Sequence, residues 1–122
     1  MLSWGAIAYG AALSAVLAVL LVLAAARERR PGTLATVAAG AVLGPAAWNA
    51  ILRATDASQF FTDAPIPFFP ISWQDTGSGV FTLAALALLL SLGPLRATPG
   101  RRIALVAGLG ALSALLVDIY LY

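Results

Sequence analysis

The chain contains no cysteine, no histidine and no lysine. Without cysteine there can be no disulfide, no thiolate chemistry and no Cys-ligated metal. Without histidine the commonest general base and the commonest transition-metal ligand are both missing, and a haem would lack its usual axial ligand. Charge is also scarce, at 10% of 122 residues. A soluble domain carries about 25% charged residues, because its surface must face water. Twelve charged side chains cannot solvate a chain that is 61% hydrophobic, so it resides in a membrane.

What is present falls into four apolar runs. Leu2 to Ala26 is free of charge until Arg27. At 1.5 Å per residue, about 20 apolar residues cross a bilayer. The opening MLSW has no positive charge and the run exceeds a signal-peptide core, so a retained helix is expected. Pro31 and Gly32 separate it from a second, Ala- and Gly-rich run, which Thr33 can cap and which Gly44-Pro45 should kink. Asp75 or Thr76 can cap a third run, ended by Gly93-Pro94, and the fourth begins after LRATPGRR. The expected fold is all-α: one integral membrane domain, 1–122, built as an antiparallel bundle of four transmembrane helices. The helices are expected over about 3–26, 33–53, 77–93 and 103–122, with a loop at 54–76.

Arginine placement orients the chain. Six of seven lie in the two short links: Arg27, Arg29, Arg30, Arg96, Arg101 and Arg102. Short Arg-rich links stay in the cytoplasm. Both termini and the 54–76 loop are then extracytoplasmic. Abundant Ala, Gly, Arg and Pro without Lys points to a bacterial inner membrane. All eleven aromatics fall in the outer half, whereas an ordinary aromatic belt marks both interfaces. Either arginine alone anchors the inner side, or the outer face is built to bind something.

Small residues recur at helical spacing: Gly10, Ser14 and Ala18; Thr36, Gly40 and Gly44; Ala104 and Gly108, with Gly110 and Ala114 nearby. Such rows let helix backbones approach closely. They can pack the bundle internally or mark a partner's docking face.

Counting depth along the helices gathers a polar layer in the outer leaflet. Asn49 and Asp118 lie roughly 22–24 Å from the inner ends, with Tyr9 and Thr82 at similar depth. Arg53 and Asp56 continue a stripe from Asn49. A carboxylate within a span is costly and should be paired or protonated. Two readings stay open. Asp118 pins helices together through Arg53, Asn49 or Tyr9, or it binds a cation or relays protons on a transport path.

The central loop holds Phe60, Phe61, Asp63, Phe68, Phe69, Trp73 and Asp75 among three prolines. It can lie in the headgroup layer with its rings as anchors, or dock a larger membrane protein. Three Asp could hold a divalent cation, yet their spacing fits no calcium-loop pattern. No nucleophile–base–orienter set is present. We therefore expect no catalytic residue, no metal and no cofactor. Partners are the lipid bilayer and either a larger membrane protein or further copies of the chain, not nucleic acid. The leading expectation is a non-enzymatic accessory or scaffold subunit of a larger bacterial membrane complex. The alternative is a small oligomeric transporter or channel using Asp118, Asn49 and Arg53. A third is a lipid-handling enzyme using the loop carboxylates.

Overall fold

A computed structural model describes residues 2–65 and 70–121. Among the described residues the protein is all-helical: α1 (Trp4–Ala24), α2 (Pro31–Ala54), α3 (Trp73–Leu92) and α4 (Gly100–Tyr120), with a short 3-10 turn at Ser58–Phe61. Each of the four helices is long and apolar enough to cross a membrane. In the loop, Phe68 and Phe69 lie outside the described residues.

Local chemistry sets the helix ends. Ser3 caps α1 by accepting the Ala6 N–H. Pro31 opens α2 at its first position, where its missing N–H costs nothing, so Thr33 lies inside the helix and the cap is Arg30. The helix then runs through Pro45 to Ala54. It closes with Asp56 in the left-handed region (φ 52), the Ala57 N–H on the Leu52 carbonyl and the Asp56 N–H on the Arg53 carbonyl. That turn takes Asp56 off the Asn49–Arg53 stripe. α3 begins four residues earlier than the apolar run suggests. Its cap is Ser72, which accepts the Asp75 N–H while Asp75 accepts the Ser72 N–H at 2.8 Å. This reciprocal box satisfies two end groups at once, and it draws Trp73, Gln74 and Asp75 into the first helical turn.

The interior mixes apolar side chains with many small and polar ones, while large apolar side chains also cover the exterior. Leu88 and Leu92 are 63% and 77% exposed, whereas Ser14, Thr33, Asn49, Gln74, Ser78, Thr82, Ser113 and Asp118 are buried. Water would reverse that arrangement; lipid tolerates it, because acyl chains solvate leucine and expel polar groups. α2 packs on α1 and α3, and α4 packs on the same two helices, with a lesser diagonal contact between α2 and α4. A cluster of Ala18, Val22, Val37, Ala41, Leu86, Leu90 and Val106 fills one half. The Gly40–Gly44 row of α2 faces α3: a Cβ at Gly40 would overlap Leu86, and one at Gly44 would overlap Thr82. Gly10, Ser14, Ala18, Gly110 and Ala114 are likewise buried. Ala104 is exposed, and nothing lies within 4 Å of a Cβ added at Gly108.

Contacts sort the charges to opposite ends. At one end Arg27 takes a left-handed turn (φ 55) and the buried Glu28 follows it. The Glu28 carboxylate accepts from Arg30 Nε at 3.0 Å and from Arg102 Nη2 at 3.2 Å, joining the α1–α2 link to the start of α4. The Arg30 side chain, aided by its backbone N–H and by Arg102, holds this carboxyl at about 2, against the opposing effect of burial. At the other end, Arg53 Nη1 donates to the Leu2 carbonyl at 2.7 Å and its guanidinium lies 5.0 Å over the Trp4 ring.

Candidate functional site

The polar groups of α2, α3 and α4 meet at Gln74, the second residue of α3. Its amide Nε2 donates to Asn49 Oδ1 on α2 at 3.0 Å and to Asp118 Oδ2 on α4 at 3.0 Å, with Ser78 Oγ at 3.4 Å. All four side chains are buried. Asn49 Nδ2 donates to the Pro45 carbonyl at 2.9 Å, one turn back on its own helix. Thr82 Oγ1 donates to the Ser78 carbonyl at 2.7 Å, beneath the cluster. One amide thus serves acceptors on two other helices, in a place where water cannot compete for them.

The backbone of Gln74 is held as firmly as its side chain. Its carbonyl accepts the Trp48 indole N–H at 2.9 Å. Trp48 and Asn49 are neighbours on α2, so two consecutive residues grip one residue of α3. The indole sits against the glycine face of α3, since a Cβ at Gly77 would overlap it. Its ring centroid lies 5.0 Å from that of Phe81 and 5.8 Å from that of Phe60. The 3-10 turn is thereby tied to the helix ends through aromatic contact.

Of the residues that the sequence places in a polar layer, Asn49 and Asp118 share Gln74 as a donor, and Thr82 is buried below them. Tyr9 is 58% exposed on α1, and Arg53 is turned to Leu2 and Trp4 rather than to Asp118. Phe60 is half-buried on Trp48, Phe61 is half-buried, Trp73 is 69% exposed, and Asp63 is exposed. Asp75 is buried as the reciprocal cap. Gln74 was not among the sequence candidates, although the Ser72-x-x-Asp75 spacing ahead of an apolar run would place it inside a helix.

The Asp118 carboxylate is only half engaged. Its Oδ1 is buried and has no hydrogen-bond partner among the described residues. Among those same residues, no three acidic side chains gather as metal ligands would.

No protein family, curated protein or solved structure matches this chain. The functional reading therefore rests on the residues alone. Gln74, Asn49 and Asp118 form a clamp across three helices. Above it stands the loop that carries Phe60, Phe61 and Asp63, with the exposed ring of Trp73 beside it.

Proposed function

We propose that the chain is a small non-enzymatic accessory or scaffold subunit of a larger bacterial membrane complex. In this reading the helices form an antiparallel bundle in the inner membrane. The arginine links face the cytoplasm, and both termini and the 54–76 loop lie outside. The observation that carries the reading is the spending of polar groups inward: Gln74 donates to Asn49 and to one oxygen of Asp118 within the fold. Rings meanwhile remain outward at the same end, with Trp4, Tyr9 and Trp73 all more than half exposed. Rigid aromatic side chains make good anchors for a protein partner. Of the small-residue rows, the one left for a partner's helix is Ala104–Gly108, because the α1 row and Gly40 and Gly44 of α2 are buried.

Purification in mild detergent followed by mass spectrometry tests this. Co-purification of a larger membrane assembly is expected, and Trp73→Ala should weaken it. Recovery of the chain only with itself overturns the proposal. One observation favours the transporter reading instead, namely the unpartnered Asp118 Oδ1. Its own test is Asp118→Asn: lost uptake in liposomes supports transport, while altered assembly with no change in flux supports the subunit.

A further inference from the structure

A second site lies on the lipid-facing side of α3 and α4. A groove of about 230 Å³ runs between them, lined by Gly79, Val80, Leu83, Ala111, Leu112 and Leu115. Directly above is a hollow of about 340 Å³ bordered by Thr62, Asp63, Ala64, Ser72 and Trp73. Ile71 and Thr76 line both, so groove and hollow are continuous. The Ala64 N–H on the Ile71 carbonyl at 2.7 Å closes the loop base beside them. The floor of the groove is open because Gly79 carries no side chain; a Cβ there would come to 3.6 Å from the Ala111 carbonyl oxygen and Leu115 Cβ.

Apart from Thr76 the lower half is lined by apolar residues, the surroundings that suit a hydrocarbon chain. The upper half selects the headgroup. Its one charged lining residue, among the described residues, is Asp63, and Trp73 adds an aromatic wall. Arg53, the basic residue of this end of the bundle, is held by Leu2 and Trp4. A net anionic headgroup would meet a carboxylate with no cation to offset it. An ammonium finds a carboxylate and a ring, the pair that attracts cations at membrane depth.

We propose that this continuous groove and hollow bind a phospholipid with a primary ammonium headgroup, its acyl chain between α3 and α4 and its ammonium beside Asp63 and Trp73. Thr62, which also lines the hollow, carries a hydroxyl that could donate to the phosphate. This site is separate from the Gln74 clamp and does not depend on the subunit reading.

The test is native mass spectrometry of the full chain released from nanodiscs holding equal phosphatidylethanolamine, phosphatidylglycerol and phosphatidylcholine. Retained phosphatidylethanolamine should exceed phosphatidylglycerol by about fivefold, the value of one screened charge contact. Phosphatidylcholine should fall between, since its quaternary nitrogen keeps the charge and donates no hydrogen bond. Asp63→Asn, on an exposed residue outside the helices, should bring the ratio to one. Ala111→Phe should lower retention of all three, whereas Ala12→Phe, in a different apolar groove between α1 and α2, should not. Equal retention by the unaltered chain, or a preference that survives Asp63→Asn, overturns the proposal.

Discussion

Gln74 Nε2 lies 3.0 Å from Asp118 Oδ2, joining the first turn of α3 to the last turn of α4. The same nitrogen reaches Asn49 on α2, so removing one amide strands two buried acceptors. Leaving buried polar groups unpaired costs more than the bond itself contributes. Gln74→Leu should therefore lower stability by about 2–4 kcal/mol. Gln74→Leu combined with Asp118→Leu should recover part of that loss, because only the Asn49 Oδ1 is then left without its donor. Denaturant titration of the reconstituted chain in a double-mutant cycle measures the coupling; additive losses would show that the two residues act separately.

Trp48 predicts a second outcome. Its indole occupies the space above Gly77 while donating to the Gln74 carbonyl. Gly77→Ala forces the ring aside and should cost about 1–3 kcal/mol, the usual penalty for overpacking. Gly108→Ala meets nothing within 4 Å. It should be neutral or gain up to about 1 kcal/mol from helix propensity. Near-ultraviolet circular dichroism should report the altered indole environment only in the first variant.

The cap of α3 predicts a third. Ser72→Ala removes the hydroxyl that accepts the Asp75 N–H, leaving half of the reciprocal pair. The expected loss is about 1 kcal/mol, recovered in Ser72→Thr. Hydrogen exchange should accelerate at residues 74–76 and leave the middle of α3 unchanged. Uniform acceleration along α3 would mean that the cap does not act locally.

Acid sensitivity should come from Glu28. The Arg30 side chain, with help from Arg102, holds its carboxyl at about 2, below the ordinary 4.5. A carboxyl whose folded pKa is depressed contributes stability that is complete above its unfolded value. That contribution fades as pH falls from about 4.5 through about 2. Thermal unfolding of the wild type should therefore weaken across that window. Glu28→Gln should be less stable at neutral pH and should lack the Glu28 part of the decline. An identical acid decline in both proteins would remove Glu28 as its source.

Much of the architecture was legible along the chain because its causes are local. An apolar run of about 20 residues can satisfy its own backbone only as a helix in lipid, and basic links between runs punctuate those helices. The start of α3 was legible as well, in the spacing of Ser72 and Asp75. Reading the helix only from the apolar run hides it, since the first turn is polar. Phe60 offered only its composition, and its contact with Trp48 needed the loop to fold back.

The sequence by itself determined four helices long and apolar enough to cross a membrane, with arginines concentrated in two short links. Those properties follow from the solvation of successive residues, which each stretch carries alone. Only the tertiary structure decided that Gln74 is the shared donor, that Glu28 ties the α1–α2 link to the start of α4, and that Arg53 turns away from Asp118. The partners of Gln74 lie 25 and 44 residues away in the chain. Which polar groups meet inside a membrane depends on how helices rotate and pack, and no local pattern of residues specifies that rotation.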